Sequence, residues 1–500
     1  MDARNGRVAC VNRSKKMDNR LDVEKGWNKT MKNKKMTIGI IVALLIVLLT
    51  GVFLVVFMNM TTGQKSTGEQ EKVKDITMFS AYTEVEQFQK VPAMAPTHAK
   101  VGMAENRGGG SFVIDVDGTT VDDYKAYLIT LEQAGFKKHS DNGEDGLEGY
   151  AYTASYTKEE LVVTVSHAVN MEKTYIAANS KLALSDHLIY NEAYVQNTIP
   201  GAKTKVHLVQ LHSNGNSFVI QLKNGHFIVH DGGKKIDAPY LVDYLEKLAP
   251  EGEKPVIEAW FISHAHDDHN GAPREIATNT AYANRILVEG IYFTEPDSKI
   301  VMENNLTDVV WMTTMMNTAF KNTKGEIPKI YRPQFGQRYY FCDIAIDVVM
   351  TPEQIPSGTY WHGDFNETSI WLMHQIEGQR FLIPGDGSHV NMEFCMKAFD
   401  KEYFDVEVFA VAHHGINVYD YFVEFCVADT LLYTMYRTES MYDAPSFHAH
   451  VEENIRMKEL AKESLSHGEG TVVLTFPYTV GNSETIAPWD WRYDGGVQQK

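Results

Sequence analysis

The segment His264-Ala-His266-Asp-Asp268-His269 places three imidazoles and two carboxylates within six residues. It directly follows the apolar run WFIS, which is typical of a buried strand. Neutral imidazole and carboxylate are ligands for Zn²⁺, Mn²⁺ or Fe²⁺. On a strand-to-helix turn, His264 and His266 can face one ion, while Asp268 and His269 face a second ion at the helix start. A solvated loop with accidental histidines is the competing interpretation, and the density of ionisable side chains disfavours it.

The elements that must position this segment form an alternating pattern. From about residue 203, short apolar strands alternate with helices, which predicts an α/β fold. Ionisable residues follow the apolar run in four of these strands, and that is where α/β architectures place their sites. The ionisable residues that follow these four runs are Asp231, His264, Asp386 and the pair His413-His414.

The pattern H-x-H-x-D-H at 264–269 resembles the signature of the metallo-β-lactamase superfamily. Asp231-Gly-Gly resembles the turn after that family's opening strands. Ile383-Pro-Gly-Asp386 resembles its fourth motif, and Ala412-His413-His414-Gly415 resembles its fifth. The resemblance covers roughly residues 203–480. It implies an αββα sandwich with the site at one edge, Asp386 bridging two metals, and a metal-binding histidine after a later strand. Periodicity alone predicts only α/β.

The third motif departs from the family pattern. The family supplies a histidine there, whereas this chain reads Trp361-His362-Gly-Asp364-Phe-Asn366. Asn366 lies about where that histidine is expected, and His362 is four residues earlier. Either His362 completes the ligands of the first ion, or that ion is held by fewer protein ligands and one-metal activity becomes possible.

Several other residues are candidates for supporting roles. His413 is favoured over His414 as a ligand because it comes directly after the strand. His414 would then orient a ligand without binding the ion itself. The resemblance implies that Asp231 orients a ligand histidine. Besides Asp268, His448 is a candidate catalytic residue, since a position at a helix start could reach a phosphate oxygen; a surface histidine is the alternative. Four further histidines are expected to be structural and to lie in strands: His207, His212, His226 and His230.

The segments His-His-Gly, Asn366-Glu-Thr-Ser369 and Phe447-His448-Ala-His450 narrow the resemblance. They are similar to the hydrolase domain of competence-type DNA-uptake proteins and to the phosphorylcholine esterase of bacterial cell walls. Both comparisons imply phosphoester cleavage outside the membrane. Two ions about 3.5–4 Å apart, Zn²⁺ or alternatively Mn²⁺ or Fe²⁺, would share Asp386 and a hydroxide that attacks a phosphodiester. Asp268 would bind the second ion or act as the base.

Other functions stay open at this point. A hydrolase of the same fold could act on a lactone, a β-lactam, a thioester or a sulfate ester. A non-enzymatic binding protein with a vestigial metal site is the remaining alternative.

The first 79 residues predict a membrane anchor. Residues 38–58 carry no charge, and a helix of that length spans a hydrocarbon core of about 30 Å. The preceding flank is basic, so the positive-inside rule places the N-terminus in the cytoplasm and the rest outside. The expected organisation of this single-pass cell-membrane protein is a basic cytoplasmic tail (1–35), a signal anchor (36–58), a linker (59–79), a small α+β module of unknown role (80–198) and a hydrolase domain (203–490).

Composition limits the function classes. With 500 residues, 44% hydrophobic and 22% charged, the chain is neither mostly disordered nor collagen-like. The net charge of −18 disfavours nonspecific binding to nucleic acid and leaves a small phosphodiester or a cell-wall polymer as the expected substrate. None of the four cysteines forms a C-x-x-C pair, which excludes a zinc ribbon. No partner protein can be identified.

Overall fold

A computed structural model describes residues 79, 82–94, 96–108, 110–180, 182–193, 198–294, 318–359, 365–416, 418–434 and 451–486. The predicted membrane-spanning segment lies outside these residues. Within them, no helix combines the length and the apolar character needed to cross a membrane. Residues 73–500 belong to one compact unit.

The first sheet is antiparallel and covers one flank of this unit. Its six strands run in the order β1-β2-β6-β5-β4-β3. They are β1 Lys100–Gly108, β2 Ser111–Asp117, β3 Lys137–Asp141, β4 Ala151–Lys158, β5 Leu161–Ala168 and β6 Lys173–Ser180. Helix α1 (Val121–Gln133) begins at a capping box between Thr120 and Asp123 and packs Tyr124, Tyr127 and Leu131 on the sheet. This sheet and its helix lie within the residues 80–198 for which a small α+β module was predicted.

The second sheet carries the strand that leads to the His/Asp segment. Its order is β13-β12-β10-β9-β8-β7-β21-β22, with β11 beside β10. The strands are β7 Lys205–Leu208, β8 Ser217–Gln221, β9 Phe227–Asp231, β10 Val256–Ile262, β11 Leu287–Val288, β12 Gly290–Phe293, β13 Lys329–Tyr331, β21 Thr471–Thr475 and β22 Glu484–Ile486. Strands β9, β10, β12 and β13 are parallel, so their carboxyl ends share one edge.

The third sheet follows chain order from β14 to β20. Its strands are β14 Arg338–Phe341, β15 Ile344–Met350, β16 Trp371–Ile376, β17 Gln379–Ile383, β18 Val406–Ala410, β19 Ala428–Tyr433 and β20 Glu463–Ser466. Strands β17 to β20 are parallel. The remaining helices are α2 Ala238–Leu248, α3 Asp267–Thr278, α4 Thr280–Ala283, α5 His389–Ala398, α6 Asp420–Val423 and α7 Val451–Leu460.

Three buried clusters define the layers. One joins the inner faces of the second and third sheets, where Phe218 packs on Phe381 and Phe261 packs on Tyr339. A second places α2 and α3 on the outer face of the second sheet. The third places α5 and α6 on the outer face of the third sheet, together with side chains of β4 to β6 from the first sheet. The predicted α/β class is confirmed: the second and third sheets face each other, and helices pack on the other face of each.

The four histidines expected in strands have different placements. His207 and His230 lie in strands β7 and β9, but His212 and His226 lie in connections, so the prediction of strand positions was wrong for those two. Cys342, Cys395 and Cys426 are buried free thiols. Burial of apolar surface, rather than disulfide bonds, therefore stabilises this part of the chain.

Candidate metal centre

The His/Asp segment lies at the carboxyl end of β10. After β10 ends at Ile262, Ser263 and His264 turn the chain, and His266 adopts extended backbone angles immediately before α3. The carbonyl of His266 accepts the amide N–H groups of His269 and Asn270, which closes the first turn of α3. This turn places His264 and His266 before the helix and Asp268 and His269 within its first turn.

Asp386 reaches the same place from β17. Gly385 has φ of +57° and lies against Ser263, where a Cβ on Gly385 would come within 2.7 Å of the Ser263 Cβ. The Asp386 amide donates to Ser369 Oγ at 3.1 Å. Only a glycine permits this turn at this spacing, so the fourth motif is held directly against the His/Asp segment.

His413 and His414 follow strand β18 and have backbone angles that are rare for residues other than glycine. Both are left-handed, with φ of 49° and 55°, and Gly415 follows with φ of 90°. Non-glycine residues in this region cost about 1–2 kcal/mol each, and such strain concentrates at functional sites. The His413 amide donates to the Gly385 carbonyl at 3.1 Å, which joins the fourth and fifth motifs. The tight turn aims both imidazoles at one carboxylate.

Two groups of side chains could each hold a metal ion. The first consists of His264, His266 and Asp386, and the second of Asp268, His269 and His414; within each, the ligand atoms lie within 4.8 Å of one another. The side chains of the His/Asp segment are thus divided between the two groups.

Asp386 belongs to the first group and also lies close to histidines of the second group. Its Oδ1 is 3.1 Å from His269 Nε2. Its Oδ2 is 3.8 Å from both His264 Nε2 and His414 Nε2. One carboxylate thus faces imidazoles of both groups.

Asp231 and Thr434 fix the orientation of two imidazoles. His269 Nδ1 donates to Asp231 Oδ2 at 2.8 Å, and both side chains are fully buried. His414 Nδ1 donates to the Thr434 carbonyl at 2.7 Å. In each case the other ring nitrogen, Nε2, is left to face the carboxylates, which is the usual support of a metal-binding histidine.

The donor set fits divalent cations. The Nε2 atoms of His269 and His414 are buried and make no well-formed hydrogen bond to a described residue, although Asp386 Oδ1 lies 3.1 Å from His269 Nε2. Buried polar atoms are nearly always paired, because an unpaired one costs about 1–3 kcal/mol. A cation between imidazole nitrogens and carboxylate oxygens satisfies both atoms at once.

The charges of the centre are coupled. Burial lowers the pKa of His264 well below its ordinary value and lowers that of His414 as well, which keeps these imidazoles neutral. Burial also acts to lower the pKa of His269, but the carboxylates of Asp386 and Asp231 outweigh it and raise that pKa well above the ordinary value. In turn, although burial opposes it, positive charge on His269 holds the pKa of Asp386 well below its usual range. A metal ion that binds here would displace the His269 proton.

The remaining predicted residues have different placements. The structure groups His414, and not the favoured His413, with Asp268 and His269. His413 is partly exposed, and its Nε2 lies 3.6 Å from Asp386 Oδ2. Asn366 Nδ2 lies 3.4 Å from His413 Nδ1, so Asn366 supports that imidazole. His362 and His448 lie outside the described residues.

Three residues at the centre were not predicted from sequence. Ser263 Oγ contacts Asp231, His264 and His269 at 2.9 to 3.2 Å. Asn216 Nδ2 donates to Asp231 Oδ2 at 2.9 Å. Thr434 supplies the carbonyl for His414. Ser263 is adjacent to the first motif, which is a usable sequence signal, whereas Asn216 and Thr434 reach the centre only through the fold.

Comparisons with known proteins give little more. No protein-family model matches the chain, and no curated protein matches it. Among solved structures, it is similar to the metallo-β-lactamase fold protein YhfI from Bacillus subtilis, at 11% sequence identity. That similarity covers 53% of this chain and 96% of YhfI, with a TM-score of 0.31. A similarity of this size does not decide the function, which is inferred below from the two ligand groups.

Proposed function

We propose that this chain is a metal-dependent hydrolase and that its substrate is a phosphodiester. One observation carries the proposal: Asp386 faces imidazoles of both ligand groups, and the Nε2 atoms of His269 and His414 beside it are buried without a well-formed hydrogen bond to a described residue. A cluster that combines buried imidazoles with shared carboxylates binds divalent cations in preference to water or apolar ligands.

Named residues would hold the two ions. His264, His266 and Asp386 would hold the first, with His413 as a third imidazole supported by Asn366. Asp268, His269, His414 and the other oxygen of Asp386 would hold the second. In this assignment Asn366 replaces the family's third-motif histidine without itself binding the ion.

The chemistry follows from these positions. When bound, divalent ions polarise a phosphoryl oxygen and lower the pKa of a coordinated water toward about 7. Asp231 and the Thr434 carbonyl each accept an Nδ1 proton, so the Nε2 lone pairs of His269 and His414 stay directed inward. The side chain of Asp268 is 25% exposed and so reaches the open side of the centre. With one ion bound instead of two, Asp268 would be free to accept the proton of the attacking water there.

The choice of a phosphodiester rests on charge and on the sequence resemblance. The chain carries a net charge of −18, so an anionic substrate needs local positive charge to approach. Two divalent ions supply it at this centre. The same charge favours a small phosphodiester or a cell-wall polymer over nucleic acid.

The deciding experiment is hydrolysis of bis(p-nitrophenyl) phosphate by the full chain, purified without chelator and supplied with Zn²⁺ or Mn²⁺. Asp268→Asn is the variant, because it keeps the shape of the side chain and removes its charge. Metal-dependent turnover that is lost in the variant is expected. Two bound ions with turnover only of a lactone, β-lactam, thioester or sulfate ester would replace the phosphodiester assignment. Absence of both turnover and bound ion would favour the non-enzymatic binding protein instead.

We also propose that the chain is anchored in the cell membrane with this centre on the outer side. The charge-free run at 38–58 and the basic residues before it support the proposal. Protease added to intact cells should then digest the part that carries the metal centre, whereas protection until lysis would refute that orientation.

A further inference from the structure

The loop that connects β7 to β8 lies against the start of α3. The Asn216 amide donates to the Asp268 carbonyl at 2.9 Å. A Cβ on Gly215 would come within 2.8 Å of the same carbonyl oxygen and within 2.5 Å of the Gly233 Cα, so only a glycine permits this close approach. The Asp268 carboxylate, in turn, lies 3.8 Å from His414 Nε2 in the second ligand group. The loop therefore holds the backbone of a residue whose side chain belongs to the metal centre.

The turn after β9 holds the same helix at a second point. The Gly233 carbonyl accepts the Ala272 amide at 2.9 Å. In a regular helix, that amide would bond to the Asp268 carbonyl four residues earlier. Here each of these two groups has a hydrogen-bond partner outside the helix, and Pro273 has no N–H group to offer the next carbonyl. The start of α3 is thus supported by backbone contacts from the loop and from the turn.

One carboxylate, that of Asp237, joins the loop to the turn, and it is fully buried. Its Oδ1 accepts the Ser213 amide at 3.0 Å, and its Oδ2 accepts the Ser213 hydroxyl. Oδ2 also accepts the Lys234 amide at 2.8 Å. Ser213 Oγ accepts the Gly215 amide at 3.1 Å. A continuous line of hydrogen bonds therefore runs from Asp237 through Ser213 to Gly215, which lies directly against Asp268.

We propose that Asp237 is a positioning residue that keeps the Asn216 amide on the Asp268 carbonyl and thereby directs the Asp268 carboxylate toward the second ion. Burial raises the pKa of Asp237, although the hydrogen bonds from Ser213 and Lys234 act to lower it. A carboxylate at this place is therefore costly, and its hydrogen bonds go to the two connections that support the start of α3. The inference rests on the proposed function for its metal readout only.

The test uses Asp237→Asn in the full chain, because asparagine keeps the size of the side chain and replaces one accepting oxygen with an NH₂ group. Hydrogen exchange is measured on ion-free protein, and Co²⁺ titration is followed through the absorption bands of the bound ion. The Asn216 amide reports its own bond to Asp268 and should exchange about tenfold faster, while β16 and β17 stay protected. The loop should loosen without detaching, because Asn216 keeps its side-chain bond to Asp231. One of the two Co²⁺ affinities should fall about tenfold with altered bands, and the other should stay within about threefold of the wild type.

Asp347→Asn is the matched control, because Asp347 is also a fully buried carboxylate. It accepts hydrogen bonds from Arg338 Nη2 at 2.8 Å and from the Tyr403 hydroxyl at 3.0 Å, so its loss reports on stability alone. Equal effects from this control would overturn the positioning role. An unchanged exchange rate of the Asn216 amide in Asp237→Asn, or two unchanged Co²⁺ affinities, would overturn it as well.

A second variant and the ion-free measurement cover the remaining outcomes. If Asp237→Asn fails to fold, Ser213→Ala replaces it, since that change removes the hydroxyl from the line of hydrogen bonds and keeps the carboxylate. The same selective loss is then expected, and its absence would refute the role. If the wild-type chain binds no ion, the proposed function fails, and exchange of the Asn216 amide alone decides whether Asp237 holds the loop on Asp268.

Discussion

Replacing Asp231 with asparagine should weaken the second ion selectively. The Asp231 carboxylate accepts four hydrogen bonds at 2.8 to 2.9 Å: the Ser263 amide on Oδ1, and Ser263 Oγ, Asn216 Nδ2 and His269 Nδ1 on Oδ2. Asparagine offers one oxygen. If it stays on the Ser263 amide, the new NH₂ group faces the three donors that Oδ2 accepted.

Two magnitudes follow from that geometry. Buried donors that lose their acceptor cost about 1–3 kcal/mol each, so the ion-free chain should lose about 3 kcal/mol of unfolding free energy, partly offset by burying one charge less. The new NH₂ also favours the His269 tautomer that carries its proton on Nε2, the atom needed by the ion. Loss of such support costs 10–100-fold in metal affinity, about 1.4–2.7 kcal/mol.

The assay is Zn²⁺ titration against a chromophoric chelator for the wild type, Asp231→Asn and the control Asn216→Ala. The control removes one donor and keeps the carboxylate, so both affinities should stay within about threefold of wild type. In Asp231→Asn, the affinity of one ion should fall 10–100-fold and that of the other should change less. Wild-type affinities for both ions in Asp231→Asn would refute the role given to Asp231.

Three further outcomes are expected. His413→Ala should weaken one ion about tenfold in the same titration and spare the other, and equal loss of both would contradict its assignment to the first ion. Burial lowers the pKa of His374 to about 4. Because the unfolded chain takes up this proton near pH 6.5, the unfolding free energy should fall as the pH drops from about 6.5 to about 4, and His374 alone should contribute a loss of about 2 kcal/mol at pH 5. Urea titrations of His374→Gln should therefore show a shallower pH dependence than those of the wild type. A Cβ at Gly387 would lie 2.2 Å from Trp371 Nε1, so Gly387→Ala should lower the unfolding free energy by about 1–3 kcal/mol in denaturant titration, and an unchanged midpoint would contradict that contact.

The sequence predicted what is local and periodic. Strand β10 and helix α3 follow from an apolar run and a dense polar segment, and the division of that segment between two ligand groups follows from its spacing. The ends of β9, β17 and β18 were identified because ionisable side chains follow apolar runs at the edge where parallel strands end.

The preference for His413 over His414 could not be decided from sequence. Two consecutive left-handed residues set the directions of these side chains, and local propensities predict a right-handed or extended backbone for histidine. Likewise, Thr434 contributes a carbonyl, which every residue has, so no residue type marks it. The hydrogen bond from Arg107 Nη2 to the Ile355 carbonyl joins positions 248 residues apart, and such a contact leaves no periodic pattern in the sequence.

The free thiols provide a way to observe the folded state. Cys342, Cys395 and Cys426 are at most 5% exposed, and burial raises the pKa of Cys342 to about 12. Since only the thiolate of an accessible cysteine reacts, alkylating reagents should modify these three positions only when the surrounding structure opens. Cys342 lies at the turn between β14 and β15, Cys395 in α5, and Cys426 before β19. Their labelling rates would therefore time the opening of three places around the third sheet in the unaltered chain.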